Sequence, residues 1–268
     1  MISFSIVGFS AWAPGLKTPQ DWAAWAAHPV FPRVDAEPAV GSMPPMMRRR
    51  ADFHAKMALE VAYQCLPDAH TDIPTVFCSR IGEVARSVDM LKTLTDTHTV
   101  SPTSFSLSVH NAVAGLFSIA RKARAASTSL AARNTMIENA LIEAVGLLHD
   151  GAPKVLLVVS CNTLPEDYAP YSDHTDLPYA WAWQIAPPAD TPRFSLAWFN
   201  ADTPEKPTSP SHGTPKAASP AEADPSQNPT PPSLFLPPEL SVLRFYLSGE
   251  SLFRRQEGRT LWEWRRDE

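Results

Sequence analysis

Between Phe105 and Ala120 the chain carries no Asp, Glu, Lys or Arg. An apolar segment of that length is expected to be covered on every side, which predicts a core position for the run. Ala112, Ala114 and Gly115 leave room for another backbone to approach. A polar, prolyl lead-in from Ser101 and Pro102 precedes it. Arg121, Lys122 and Arg124 follow, and then a run of small residues from Ala125 to Ser129. Beyond these, Met136, Ala140, Leu141, Ala144, Leu147 and Leu148 fall on one helical face. Asp150 and Gly151 stop that helix, and the apolar run up to Val159 reads as a central buried strand. A helix feeding a buried strand is the signature of a layered α/β fold.

At 268 residues with 44% apolar content, the chain has enough material for one large core or two small ones. The net charge of -5 gives no bulk attraction to nucleic acid or to an anionic membrane. Cys65, Cys78 and Cys161 lack metal-ligand spacing and are odd in number, which points to reduced thiols in a cytoplasmic protein. No metal or cofactor is implied. The N-terminus lacks the basic region of a signal peptide, and no run approaches the ~20 apolar residues of a membrane span.

In chain order, Ile2 to Val7 alternates and predicts an opening strand ending at Gly8, with a loop from Phe9. Residues 20–27 predict a short helix, and residues 28–47 an irregular, proline-rich stretch. A helix is expected over roughly 51–66, with Ala55, Leu59, Ala62, Tyr63 and Leu66 at helical spacing. Arg48, Arg49 and Arg50 stand just before it. Pro74 to Ser79 predicts a strand, and the following helix runs to about Asp96, with Ile81, Val84, Val88, Leu91 and Leu94 on one face. Tyr179 to Ile185 and Arg193 to Phe199 predict two strands, paired as a hairpin or lying as neighbours. Residues 200–238 are rich in Pro, Ser and Thr and cannot bury enough apolar area to order themselves. Order returns at 239–268, with Pro238 to Leu247 as a final strand or short helix and an edge strand at Leu261 to Trp264. The expected organisation is a domain over 1–199, a disordered segment over 200–238 and a C-terminal return over 239–268.

One block of residues carries more specific information. Pro102, Phe105, Ser108, Val109, Asn111, Ala114 and Gly115, followed by Ala125 to Leu130, resemble the N-terminal half of a β-ketoacyl synthase, a family of the thiolase-like fold. The resemblance covers roughly residues 1–160. It implies a layered sheet with helices whose second half is truncated. In the family a cysteine nucleophile begins a buried helix after this block, and the same frame here places Ala126 at that position. A methyl group cannot accept an acyl chain. The family's second half also supplies two histidines, and after residue 160 only His174 and His212 remain, in unlike surroundings.

A truncated homologue without the cysteine resembles the chain-length-factor-like partners encoded with aryl polyene and related type II pathways. That implies a non-catalytic subunit forming a heterodimer with an active β-ketoacyl synthase and shaping its acyl tunnel. Candidate interface and tunnel residues are Met90, Leu94, Phe105, Leu107, Val109, His110, Asn111 and Gly115. Arg48 to Arg50 are candidates for docking an acyl carrier protein. Two other readings compete. One is a stand-alone acyltransferase or thioesterase using Cys161 or a hydroxyl of Ser127 to Ser129, residues that otherwise read as helix caps. The other is a scaffold that only binds the carrier protein.

Overall fold

The computed structural model describes residues 1–32, 34–68, 72–172, 177–189, 192–201 and 236–267. Most of the expected disordered segment, 202–235, lies outside them.

One eight-stranded sheet runs through the described residues. Its strands are β1 (Ile2–Trp12), β2 (Thr75–Ser79), β3 (Ser127–Leu130), β4 (Val155–Cys161), β5 (Tyr179–Ala186), β6 (Arg193–Asn200), β7 (Leu252–Glu257) and β8 (Thr260–Asp267), in the spatial order β3-β2-β4-β5-β1-β6-β8-β7. Strands β3, β2 and β4 are parallel, and β5 runs antiparallel to both β4 and β1. From β1 outwards every pairing is antiparallel. Every residue of β4 is buried, as its unbroken apolar run requires.

Helices cover both faces at the centre of the sheet. On one side lie α7 (Met136–His149), α8 (Pro238–Ser248) and α1 (Pro19–Ala27), packed with Trp181, Trp183, Leu157 and Trp264. On the other lie α3 (Phe53–Cys65) and α6 (Ala112–Arg121), over Leu156, Val158, Ala180 and Phe77. Asp52 starts α3 by accepting a hydrogen bond from the Ala55 N–H at 2.9 Å. The expected apolar face of α3 is buried, and so is that of α7 from Met136 to Ala144, while Leu147 and Leu148 are half-buried. Three shorter or more exposed helices complete the set: α2 (Pro45–Arg48), α4 (Val84–Thr97) and α5 (Pro102–Ser106).

Several expectations are corrected. β1 does not stop at Gly8 but passes through an irregularity between Ile6 and Gly8 and continues to Trp12. A side chain at Gly8 would crowd Gln184 Cβ at 3.2 Å, which explains the glycine. β5 and β6 are not neighbours, because β1 lies between them. β8 is not an edge strand, since β7 pairs along its outer side; Trp262 and Trp264 do share a buried face. Residues 238–248 form a helix. Ser127 to Ser129 are strand residues rather than helix caps.

The largest correction concerns the uncharged run. Ala112, Val113, Ala114, Leu116 and Phe117 are buried on one face of α6, but Phe105, Val109 and Ile119 are 61%, 44% and 66% exposed. Lack of charge marked a surface here, because no described element covers the stretch before α6. α4 behaves similarly: of its apolar stripe only Val88 is buried, while Leu91 and Leu94 face outwards.

Candidate functional site

The site follows from where parallel strands end. β2 and β4 run side by side, with Ser79 opposite Ser160 at their C-terminal ends. Ligands in α/β sheets bind beyond such ends, where loops and helix N-termini converge. Four features meet here.

The first is the turn that leads from β3 into α7. A single 3-10 turn, Arg133–Thr135, precedes Met136, and Arg133 is held in the left-handed region at φ 43°. The buried helix therefore starts near residue 135, whereas Ala126 lies ahead of β3 and its carbonyl accepts from the Thr75 N–H at 3.0 Å. No cysteine stands at either place. The C-terminal hairpin clamps this turn. Arg255 of β7 donates to both carboxylate oxygens of Glu138 at 2.6 Å and to the Asn134 carbonyl. Asn134 Nδ2 donates to Glu257 Oε1 at 3.1 Å. Glu138 is fully buried, so the pair is shielded from solvent.

The second feature is a groove of about 360 Å³ between α4 and α5. Phe53, Met90 and Val100 give it apolar walls, and Asp52, Arg86 and Asn162 give it a polar floor. Of the predicted tunnel and interface residues, only Met90 lines it. Leu94, Phe105, Val109 and Asn111 are exposed outside it, and Leu107 packs partly against the α3–α6 core. His110 directs Nε2 to the Ser79 carbonyl at 3.2 Å. Gly115 has open space where a Cβ would stand, so no close approach within this chain requires it.

The third is a buried polar network beneath that floor. His54 Nδ1 lies 3.0 Å from Glu83 Oε1, and its Nε2 lies 2.9 Å from Ser160 Oγ and 3.4 Å from Ser79 Oγ. Arg86 bridges Glu83 and Asp52 at 3.4 and 3.2 Å. Burial pushes the Glu83 carboxyl up, against the pull of His54. Burial also opposes the Asp52 charge, but hydrogen bonds from Glu83 and the Ala55 N–H, with Arg86 nearby, hold Asp52 below the ordinary carboxylate value. This network joins residues that no sequence motif links. Its only trace was polar His54 beside Ala55 at the start of an apolar helical face.

The fourth is a smaller cavity of about 190 Å³, lined by Arg80, Arg133, Cys161, Asn162 and Tyr168. Cys161 is buried at the end of β4. Close by, Tyr179 Oη donates to Glu239 Oε2 at 3.3 Å, and burial pushes the Glu239 carboxyl up to about 7.

The remaining candidates lie elsewhere. Arg48 half-buries its side chain against the Ala39 and Val40 carbonyls at 3.3 and 3.5 Å, while Arg49 and Arg50 are exposed. They close α2 rather than open α3. Ser127 Oγ accepts from Thr75 Oγ1 at 2.9 Å, and Thr128 Oγ1 donates to Glu143 Oε1 at 2.9 Å. Among the described residues no cluster of three or more His, Cys, Asp or Glu could hold a metal ion, and no helix is long and apolar enough to cross a membrane.

The family model for the β-ketoacyl synthase N-terminal domain matches residues 22–265. The chain belongs to that family. The layered sheet with helices on both faces is its fold, in agreement with the resemblance read from the Ser101 to Leu130 block. Among solved structures, this ketosynthase-type chain is similar to one from the complex of the ketosynthase ApeO with its chain length factor ApeC from Xenorhabdus doucetiae. The identity is 27% over 99% of this chain and 100% of that one, with a TM-score of 0.77. It shares its fold with the ishigamide ketosynthase/chain length factor (17% identity, 75% of this chain and 68% of that one, TM-score 0.59). The same holds for AntDE:AntF, a type II acyl carrier protein in complex with its ketosynthase (11% identity, 74% and 70%, TM-score 0.61). No curated protein sequence matches the chain. The chain is thus a ketosynthase- or chain-length-factor-like protein of the β-ketoacyl synthase family.

Proposed function

We propose that this chain is a non-condensing partner subunit of an active β-ketoacyl synthase, a chain length factor of aryl polyene-type polyketide or fatty-acid biosynthesis acting in the cytoplasm. The observation that carries the reading is the turn before α7, Ala132-Arg133-Asn134-Thr135. It occupies the start of the buried helix, where the condensing nucleophile is expected, and it holds no thiol. The three cysteines are buried in α3, β2 and β4, and burial raises the Cys65 thiol to about 12. Deep burial likewise pushes Cys78 up, far from a reactive thiolate.

The surface supports a partner. β3 is paired only along β2 among the described residues, which leaves an open strand edge. In addition, α6 presents Ile119 and the open side of Gly115, and the preceding stretch presents Phe105 and Val109. In this reading a ketosynthase covers that surface, and the α4–α5 groove with Met90 forms part of the acyl tunnel wall. Arg49 and Arg50 are the carrier-protein docking residues.

Changing both Phe105 and Val109 to Asp tests the surface with little risk to the fold, since neither is buried. Co-expressed with the ketosynthase encoded nearest to it, wild-type chain is expected to co-purify and the double variant to lose at least about 100-fold in affinity, as for central interface anchors. Undiminished co-purification of the folded variant would move the interface elsewhere.

A further inference from the structure

We propose that Ser160, His54 and Glu83 form a nucleophile, base and orienting carboxyl for acyl transfer, so that this chain carries a hydrolytic activity toward activated acyl groups of its own. This site is separate from the condensing position before α7.

Three observations carry it. The contacts run in the required order: Glu83 Oε1 to His54 Nδ1 at 3.0 Å, and His54 Nε2 to Ser160 Oγ at 2.9 Å. With the proton on Nδ1 donated to Glu83, Nε2 is left as the acceptor for the Ser160 hydroxyl, which is the arrangement that turns a hydroxyl into a nucleophile. Second, the residues come from three separate elements, α3, the start of α4 and the end of β4, and they lie 3%, 4% and 4% exposed in an otherwise apolar core. Apolar residues of similar volume would fill that space without desolvating a carboxyl and an imidazole. Third, the set lies one step behind the cavities, which its own residues do not line. Asn162, two residues on, lines both cavities, and Arg86 joins Glu83 to the groove floor. Residues 162–165, which follow β4, include no buried side chain, so local opening of this loop exposes Ser160 while Glu83 and His54 stay in place.

The reaction is acyl transfer from a thioester. Ser160 Oγ attacks the carbonyl carbon while its proton passes to His54 Nε2. The C–S bond breaks and the thiol leaves with that proton. Water then attacks the Ser160 ester through the same base, releasing a carboxylic acid and restoring the hydroxyl. Ser79 is the neighbouring hydroxyl but not the nucleophile: its Oγ accepts from the Gly82 N–H at 3.0 Å and stands 3.4 Å from His54.

The test is a fluorophosphonate probe on the full chain, read by intact mass and by peptide mapping. A single adduct at Ser160 is expected in wild type and in Ser79→Ala. None is expected in Ser160→Ala, and labelling about 100-fold slower or worse in His54→Gln. Thiol release from acetyl-N-acetylcysteamine should follow the same ranking. The wild-type experiment decides the matter even if a variant fails to fold. Folded wild type that stays unlabelled overnight at millimolar probe, or an adduct mapped to another residue, overturns the proposal and leaves a purely structural network.

Discussion

Arg255→Ala is expected to lower the unfolding free energy by about 3–5 kcal/mol, measured by urea denaturation at neutral pH. Arg255 is the charge partner of Glu138, whose carboxylate is fully buried in the first turn of α7. Removing the guanidinium strands that carboxylate and also frees the Asn134 carbonyl that Arg255 holds. The double variant Arg255→Leu with Glu138→Leu should recover most of the loss, because neither partner is then left as an unpaired buried charge. Arg254 is the control. It pairs with Glu263, but its own side chain is 53% exposed and Arg265 also holds the Glu263 carboxylate, so Arg254→Ala should cost less than ~1 kcal/mol. Equal losses for Arg254→Ala and Arg255→Ala would mean that the hairpin is not keyed to α7 through this pair.

Glu239→Gln is expected to stabilise the protein at alkaline pH and to change little in acid. Burial at the start of α8 raises the Glu239 carboxyl from 4.5 to about 7, and its Oε1 has no hydrogen-bond partner. The folded state therefore holds the proton more tightly than the unfolded chain. That contribution is complete below about pH 4 and is lost as the pH rises through about 7. Above that, wild type carries an ionised carboxylate in the core at a cost of roughly 3 kcal/mol, which glutamine avoids. Melting curves at pH 4 and pH 8.5 should show the variant gaining only at the higher value. A difference independent of pH would show that Glu239 does not titrate in this range.

Much of the central architecture was legible because its residues obey simple periodicities. The unbroken run of β4, the 3-4 spacing of α3 and the amphipathic face of α7 each point to one element. The family block added the layered sheet. What escaped was long-range. Nothing between Tyr179 and Phe199 indicates that β1 inserts between β5 and β6, since strand order is set by pairing partners more than a hundred residues apart. The resemblance puts Ala126 in the nucleophile frame because Ala125 to Leu130 imitates the family's loop in composition; in the structure Ser127–Leu130 form a strand and the buried helix starts near residue 135. The tunnel residues were assigned by bulk, and the structure disperses them: Met90 lines the groove, Phe105 and Val109 lie on the surface, and His110 caps the end of β2. His54, Glu83 and Ser160 were invisible for the same reason, being a polar cluster assembled from three distant segments. Glu138 also broke the expected apolar face of α7, and its partner Arg255 lies 117 residues away.

The account rests on this chain being half of a two-subunit enzyme. Phe105, Val109 and Ile119 are exposed apolar side chains and the β3 edge is open, the kind of surface a partner would cover. Light scattering on the co-expressed pair after size-exclusion chromatography tests that directly. The account predicts a stable one-to-one complex with the ketosynthase, and a chain that aggregates when made without it. A monodisperse monomer or homodimer that ignores the ketosynthase would contradict it.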